Sequence, residues 1–186
     1  DDDAVLEYMN NFGNALVAAY PGARGETNAD FYFFAVRDPL LNAFALPGGF
    51  IGAHSGLLIA AQNESELASV MSHEIGHVTQ RHIARMLGQQ KQDALIPLAA
   101  MLLAALASKA SPDAAMGVFM GGQGLAIQRQ LDFSRDAERE ADRVGFQIMG
   151  KGGYDTTGMV EFFQRLQSAS RAYSDLTPAY LRSHPL

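Results

Sequence analysis

The spacing of apolar residues predicts a mostly helical chain with a few short strands in its first third. From Val5 to Tyr20 the apolar residues fall on one stripe, which predicts a packing helix. Residues 31–36 form a short aromatic and β-branched run that is typical of a buried strand. Residues 42–46 and 50–54 predict two more strands, joined by a tight turn at the Pro-Gly-Gly between them.

Helical periodicity returns in three later segments. The first has apolar residues three and four positions apart, at Leu67, Val70, Met71, Ile75 and Val78. Asn63 with Glu66 three residues later resembles a capping box at its start, and Gly88 is its expected end. The second runs from Ser134 through Met149 into a glycine cluster, and the third repeats apolar residues from Met159 to Leu166. With the strands, these segments predict an α+β, predominantly helical fold with a small β-sheet.

The most apolar run of the chain is residues 94–107. It is too short to span a bilayer, because a transmembrane helix needs about 20 such residues. We interpret it as a buried core helix, and the alternatives are a flap over an active site or an element that touches a membrane. Met116 to Gly124 contains four glycines and is expected to be mobile and to belong to such a flap. The eight methionines are interpreted as core filling.

Length and composition fit one well-buried domain. Of the 186 residues, 48% are hydrophobic, so we expect residues 1–186 to form a single domain. The net charge of −6 and the absence of any lysine or arginine run argue against a nucleic-acid partner, which needs clustered positive charge. There is no cysteine, so a metal ion must be held by His, Asp or Glu. The sequence begins with three aspartates, so we expect any targeting signal to have been removed or to lie outside it.

The pentapeptide His-Glu-Ile-Gly-His at residues 73–77 supplies the first candidate chemistry. A helix turns about 100° per residue, so His73 and His77 lie one turn apart on one face, which suits a single zinc ion. Glu74 is offset from His73 by about 100°, so its carboxylate can reach a water beside the metal without binding the metal itself. The pattern therefore predicts Glu74 as a general base.

Two histidines do not complete a catalytic zinc site, which usually has three protein ligands and a water. The helix predicted from Ser134 offers the carboxylates of the segment Glu-Arg-Glu-Ala-Asp at residues 138–142. Glu138 and Asp142 share a face, so Glu138 can bind the metal while Asp142 accepts a hydrogen bond from a ligand histidine. Glu140 points elsewhere and is interpreted as a solvated helix charge.

The remaining histidine and serine signals are weak. His54 falls in a predicted strand, and His82 lies about 180° around the predicted helix from His73. Both are interpreted as structural or surface residues. No Gly-x-Ser-x-Gly sequence is present to hold a nucleophilic serine, which disfavours a serine hydrolase.

The His-Glu-Ile-Gly-His motif, followed about sixty residues later by Glu-Arg-Glu-Ala-Asp, resembles the gluzincin metallopeptidases. The Asn-Ala-Phe-Ala strand, the run from Ala68 to His82 and the final Ser-His-Pro-Leu resemble their HtpX-like members, most closely the soluble periplasmic β-barrel assembly-enhancing proteases. The similarity covers nearly the whole chain and implies a zincin-type metalloprotease domain whose active-site helix carries the pentapeptide. It also implies one zinc ion per chain, bound by His73, His77 and Glu138. Glu74 would be the catalytic base, and Asp142 would be the carboxylate that hydrogen-bonds a ligand histidine.

The same resemblance implies roles for two other parts of the chain. Asn42 and Ala43 would lie on the edge strand that holds the substrate backbone, and small residues in that strand would leave its backbone accessible. His184 would either donate a hydrogen bond to the oxyanion or occupy the open zinc position. We expect it to fold back onto the zinc and fill the fourth position, with Pro185 stiffening the segment.

The sequence departs from the resemblance at its end. The family pattern continues beyond His-Pro to an arginine, and the soluble members carry a C-terminal tetratricopeptide-repeat domain; this sequence contains neither. It also has no candidate transmembrane segment of the kind found in the HtpX branch, which makes the soluble periplasmic branch the closer relative.

We therefore predict a zinc-dependent endopeptidase that acts on misfolded or misassembled envelope polypeptides. Its expected location is the bacterial periplasm, either soluble or in peripheral contact with a membrane. Its expected partners are polypeptide substrates and outer-membrane proteins or their assembly machinery. The alternative is a chaperone-like binding module whose zinc site is plugged and latent.

Overall fold

The computed structural model describes residues 2–26, 28–172 and 179–184. In chain order its elements are α1 (Asp2–Ala19), β1 (Tyr32–Val36), β2 (Ala43–Leu46), β3 (Phe50–His54), α2 (Ser55–Ala60), α3 (Glu64–Thr79), α4 (His82–Asp93), α5 (Leu95–Ala107), α6 (Pro112–Lys151), α7 (Thr157–Ala172) and α8 (Ala179–Ser183). The predicted α+β class with a small sheet is confirmed. The chain divides into two compact units, the first within Asp1–His82 and Glu138–Leu186 and the second Ile83–Ala137. The expectation that these units act as one domain stays a prediction.

The sheet of the first unit has three strands in the order β1-β3-β2. Strand β1 is parallel to β3, and β2 is antiparallel to β3. The Asn10 side chain of α1 covers the β1 edge, since its Oδ1 accepts from Phe33 N at 3.0 Å and its Nδ2 donates to Phe33 O at 2.7 Å. Because side chains that pair an edge strand protect it from other chains, the two edges of this sheet differ, and β2 forms the other one.

Helix α3 is the centre of the first unit. It contacts α1, β2, β3 and α7, and every residue from Glu66 to Gly76 is buried. The core around it is formed by apolar side chains from all of these elements, among them Phe12, Leu16, Phe33, Ile51, Leu67, Val70, Met71, Ile75, Ile148, Phe162 and Tyr180. Packing on all sides fixes side-chain rotamers, so polar residues on this helix are held in defined positions.

The predicted cap at the start of α3 is present in a modified form. Asn63 Oδ1 accepts from Glu66 N at 3.0 Å, as a capping box requires. The Glu66 carboxylate, however, accepts from Gln62 N at 2.7 Å instead of from Asn63 N. It also accepts from Arg165 of α7, with Nη2 of the guanidinium 2.6 Å from Oε2. The cap therefore ties the start of α3 to α7.

Two predicted helix boundaries are wrong. The helix expected to end at Gly88 ends at Thr79, and Gly88 lies inside α4. Nothing lies within 4 Å of a Cβ built at Gly88, so this glycine is tolerated on an exposed helical surface at a cost of about 1 kcal/mol. The helix expected from Ser134 begins instead at Pro112, a residue suited to the first helical turn. It runs through the glycine-rich residues 116–124, which were expected to be mobile.

The interpretation of residues 94–107 as a buried core helix is also wrong. In α5 only Ala100 is buried, against Gly122 of α6. The large side chains of α5 are exposed, with Leu102 at 72%. A helix that is apolar on every side needs neighbours all round to be buried, and the few helical segments of the second unit leave most of its sides open.

The methionines show the same contrast between the two units. Four of the eight fill the first unit's core as predicted, at Met9, Met71, Met149 and Met159. The other four belong to the second unit and are exposed, at Met86, Met101, Met116 and Met120. Among the described residues, no helix combines the length and apolar character required to cross a membrane.

The Glu66–Arg165 pair gives a prediction for stability. The hydrogen bond from Arg165 holds the pKa of Glu66 below its ordinary value, although burial acts in the opposite direction. Since Glu66 is buried, Glu66→Gln should lower the free energy of unfolding at pH 7 by about 1–3 kcal/mol. A carboxylate whose pKa is lowered by folding stabilises the folded protein at every pH above its pKa in the unfolded chain, about 4.3. That contribution is lost as the pH falls through the pKa of the folded state.

The measurement is urea unfolding of wild type and variant between pH 3 and pH 7. The difference in unfolding free energy should be constant near neutrality and shrink below a pH of about 4. Glu7→Gln, at an exposed position of α1, is the control and should change the free energy by less than about 0.5 kcal/mol. A difference for Glu66→Gln that is absent, or that stays the same at all pH values, would contradict the assignment.

Candidate active site

Helices α3 and α6 approach each other closely where the candidate motifs meet. A Cβ at Gly76 would lie 3.0 Å from Ala141 O, and a Cβ at Gly145 would lie 2.9 Å from His73 N. Any side chain at either position would push the helices apart, since real Cβ contacts are longer. The glycine of the pentapeptide therefore lets the predicted histidines reach the carboxylates of α6.

Four buried side chains converge at this contact: His73, His77, Glu138 and His184. His73 Nε2 lies 3.1 Å from His77 Nε2, 3.1 Å from Glu138 Oε2 and 3.2 Å from His184 Nδ1. His77 Nε2 is 3.3 Å from Glu138 Oε1. A tetrahedral ion with bonds of about 2.0–2.1 Å places its ligand atoms about 3.3 Å apart. The donor set and its spacing fit zinc, and the cluster includes all of the metal ligands predicted from the sequence.

The charges of the cluster favour a bound cation. Burial disfavours the Glu138 carboxylate, but hydrogen bonds from His184, His73 and His77 hold its pKa well below the ordinary value. Burial likewise disfavours the His73 cation, but hydrogen bonds to Asp142 and Glu138 outweigh it and raise the pKa of His73 to about 10. A buried carboxylate that stays ionised needs positive charge beside it, which either a proton on a histidine or a metal ion supplies.

Glu74 lies next to the cluster and is almost fully buried. Within the described residues neither of its carboxylate oxygens forms a well-aligned hydrogen bond, although Oε1 is 3.3 Å from His184 Nε2. The Tyr180 hydroxyl is also buried without such a partner. Burial raises the pKa of Tyr180 well above 10, and the negative charges of Glu74, Glu138 and Asp142 add to the shift. Buried polar groups normally find partners. The Glu74 carboxylate and the Tyr180 hydroxyl lie close enough for Glu74 to raise the pKa of Tyr180, so the two groups can share a hydrogen bond or bind a water between them.

The structure brings Asp142 to His73 as the sequence predicted. Asp142 Oδ1 lies 2.8 Å from His73 Nδ1. Since His73 Nε2 belongs to the ligand cluster, its Nδ1 carries the hydrogen and donates to the carboxylate. Asp142 is positioned to fix the tautomer and the orientation of the His73 ring.

His82 lies outside the ligand cluster, as the sequence predicted, whereas the interpretation of Glu140 as a solvated helix charge is wrong. His82 is buried at 4% exposure, and its Nδ1 lies 2.8 Å from Nδ1 of His77. Its Nε2 lies 2.9 Å from Glu140 Oε2, so Glu140 is not merely a solvated helix charge. The helical wheel misplaced His82 because α3 ends at Thr79 and Arg81 takes a left-handed φ of 54°. Its position five residues after His77 is the one sequence signal that pointed to a shared site.

Helix α8 carries His184 into the ligand cluster. Tyr180 anchors it, with its ring 6.0 Å from that of Phe163 and 4.5 Å from that of His184. His184 N donates to Tyr180 O at 2.9 Å, which extends the helical turn to the histidine. The tail is therefore held by packing within the described residues, whereas Pro185, expected to stiffen it, lies outside them.

Asn42 and Ala43 lie at the start of the β2 edge. Asn42 O accepts from His54 N at 2.9 Å, so its backbone faces β3. Alternate residues of a strand direct their backbone groups to opposite sides, so Ala43 and Ala45 direct theirs away from β3. Asn42 Oδ1 is buried and has no hydrogen-bond partner within the described residues. Tyr180 N donates to Leu41 O on the outward side at 3.1 Å.

His54 remains outside the ligand cluster, as the sequence predicted. It ends β3, with Nδ1 3.7 Å from Asp38 Oδ1 and its ring edge-on to Phe44. These contacts support the strand and the turn that follows it. His54 Nδ1 is buried and forms no hydrogen bond within the described residues, so packing holds this ring.

Comparison with known proteins agrees with this geometry. Peptidase family M48 matches residues 15–186. The putative beta-barrel assembly-enhancing protease of Vibrio cholerae is 41% identical over 186 residues, covering 100% of this chain and 37% of that protein. The beta-barrel assembly-enhancing protease of Escherichia coli (strain K12) is 37% identical with the same coverage. Mitochondrial metalloendopeptidase OMA1 of Arabidopsis thaliana is 31% identical over 81% of this chain and 28% of its own length. The chain spans little more than a third of the length of the assembly-enhancing proteases.

Proposed function

Because this chain belongs to peptidase family M48, we propose that it is a zinc-dependent endopeptidase. One zinc ion is held by His73, His77 and Glu138, and Glu74 is the catalytic base. The observation that carries the proposal is the convergence of four ligand atoms beside a buried carboxylate that lacks an aligned hydrogen bond.

The proposed mechanism assigns one task to each side chain. A zinc ion held by His73, His77 and Glu138 would supply a Lewis acid that polarises a peptide carbonyl and makes a water more acidic. Glu74 takes a proton from the attacking water and later delivers it to the leaving amine. Asp142 keeps the Nε2 of His73 directed at the metal. The buried surroundings of Glu74 exclude bulk water, which strengthens these electrostatic interactions.

The edge of the sheet supports an extended peptide as substrate. The outward backbone groups of Ala43 and Ala45 can pair with a peptide strand, and the Asn42 carboxamide can accept one further hydrogen bond. Backbone pairing reads no side chains, which fits hydrolysis of exposed, misfolded or misassembled polypeptides. The bacterial relatives are named for enhancing beta-barrel assembly. We propose from this an envelope role in outer-membrane assembly, in the bacterial periplasm.

The second unit supports contact with a membrane surface. From residue 94 to residue 128 the only charged residues are Lys109 and Asp113. The exposed side chains of this stretch include Leu95, Leu98, Leu102, Leu103, Leu106, Met116 and Met120. Large contiguous apolar patches on soluble proteins mark interaction sites, and partial insertion into the lipid interface would bury these side chains.

A second candidate function is a chaperone-like binding module with a latent zinc site. It is favoured by the position of His184, whose Nδ1 is 3.2 Å from both carboxylate oxygens of Glu138. We propose that His184 is the fourth zinc ligand in a resting state. A closed fourth position is typical of structural zinc sites, whereas a catalytic site keeps one open.

The first prediction tests the general base. Glu74→Gln should keep zinc, because the ligands remain, but should lower casein hydrolysis by about 10²–10⁴-fold, because an amide cannot accept the proton. Glu138→Ala is the contrasting variant and should lose both zinc and hydrolysis. Metal analysis and degradation are measured on the same preparations. Wild-type turnover by Glu74→Gln, free of contaminating protease, would refute the mechanism.

The second prediction separates the two roles of His184. If the ring closes the site and the open form is populated at about 1–10%, His184→Ala should raise proteolysis by about 10–100-fold. If His184 donates to the oxyanion, the same change should depress proteolysis. Arg182→Ala, an exposed residue of the same helix, is the control and should leave the rate unchanged. No hydrolysis by either wild type or His184→Ala, with zinc bound, would favour the binding module.

The third prediction tests membrane contact. Changing Leu102 and Leu103 together to serine should weaken binding to phospholipid vesicles by about tenfold or more, since each inserted leucine contributes on the order of 1 kcal/mol. Co-sedimentation measures binding, and circular dichroism checks folding. Ile59→Ser, at a position 84% exposed in the first unit, is the control. Equal partitioning of the double variant and wild type would exclude this surface as the contact.

A further inference from the structure

We propose that His82 and Glu140 form a carboxylate–histidine relay that positions the metal ligand His77. Both are positioning residues, because they act through His77 and touch neither substrate nor metal. The inference rests on the proposed metal site and adds the group that orients its second histidine.

The geometry defines the direction of each hydrogen bond. His77 Nε2 belongs to the ligand cluster, 3.1 Å from His73 Nε2. Its Nδ1 must then carry the hydrogen, and it donates to Nδ1 of His82 at 2.8 Å. His82 accepts at Nδ1, so its own hydrogen is on Nε2, which donates to Glu140 Oε2 at 2.9 Å. The two rings lie 5.0 Å apart at 75° to each other.

The fold places His82 for this contact. The α3 helix stops at Thr79, and Arg81 adopts a φ of 54°. A left-handed conformation costs a non-glycine residue about 1–2 kcal/mol. The turn brings His82 back to His77 as the first residue of α4, where it is buried. A continued helix would have carried His82 to the opposite side of α3 from His73.

Helix α6 supplies carboxylates to both metal-binding histidines. Asp142 accepts directly from His73 at 2.8 Å, whereas Glu140 acts on His77 through the intervening ring. Glu140 lies about 200° around α6 from Glu138, so it points away from the ligand cluster and meets the start of α4. An acceptor behind a ligand histidine fixes its tautomer and makes its metal-binding nitrogen more basic.

Zinc affinity is the first measurement, made on the whole chain by competition with a chelator of known affinity. Glu140→Gln keeps the shape but removes the charge, and it should raise the zinc dissociation constant by about 10-fold or more. His82→Phe fills the space without accepting the hydrogen bond, and it should raise the constant by about 10–100-fold. Glu161→Gln removes an exposed carboxylate from α7 and should leave the constant unchanged.

Double variants separate a relay from a general loss of structure. Because Glu140 acts through His82, adding Glu140→Gln to His82→Phe should cause less than about a twofold further change. Asp142→Asn acts through His73, so its effect and that of Glu140→Gln should multiply. Long-range proton–nitrogen NMR of zinc-loaded wild type should show His77 protonated at Nδ1 and His82 protonated at Nε2.

Each outcome decides the proposal. A dissociation constant changed less than about twofold by Glu140→Gln, or a His82 ring protonated at Nδ1, would overturn it. If His82→Phe does not fold, Glu140→Gln and the NMR assignment decide, since Glu140 is partly exposed. Failure of wild type to bind zinc, or unchanged zinc binding by Glu138→Ala, would instead refute the proposed metal site itself.

Discussion

The close contact between α3 and α6 is the constraint on which the site depends. Helix α3 brings two histidines and Glu74, but it has no acid that can complete a metal site on the same face. Helix α6 brings Glu138, Glu140 and Asp142 but no histidine. Gly76 and Gly145 let the two backbones meet, with Cβ positions that would fall about 3 Å from the opposing helix. A larger residue at either position would force the two backbones apart and shift the ligands from the spacing that a metal ion needs.

The parts of the site that follow local geometry could be predicted from the sequence. A four-residue spacing places His73 beside His77 on any helix, and it places Glu138 beside Asp142 in the same way. The absence of cysteine then left His, Asp and Glu as the candidates for the next ligand. The roles assigned to these residues remain predictions, but the structure brings all of them together.

The contacts of His82 and Glu140 depend on the φ angle of Arg81, and they could not be predicted from the sequence. No glycine or proline marks the end of α3, since residues 78–81 read Val-Thr-Gln-Arg. A left-handed arginine is rare, so the periodic pattern predicted a helix that continued to Gly88. That error placed His82 on the wrong side and left Glu140 without a partner. The β2 edge, by contrast, followed from small residues on either side of a Pro-Gly-Gly turn.

The hydrophobicity of the sequence also did not predict that apolar side chains are buried in the first unit's core but exposed in the second unit. The Leu and Met residues of the first unit's core, such as Leu16, Leu67 and Met71, are buried because α1, the sheet and α7 surround α3. Equally apolar residues in the second unit are exposed, because helix α5 is apolar on every side and only Ala100 is covered. An apolar composition indicates that a helix gains free energy when it is buried. It does not tell how many other elements pack around that helix. Exposed surface of this kind indicates a contact that the chain makes with something else.

The tail of the chain links these observations to control of the site. His184 Nδ1 joins the ligand cluster, His184 Nε2 faces Glu74, and Tyr180 N is bonded to Leu41 O beside the β2 edge. Hydrolysis needs an open metal position, a free base and a free edge. The short helix α8 and the residue after it therefore contact the ligand cluster, Glu74 and the β2 edge at once. This helix is anchored mainly by the Tyr180 ring. If the proposed roles of the ligand cluster, Glu74 and the β2 edge hold, displacement of α8 would release the three together and would convert a latent arrangement into a competent one.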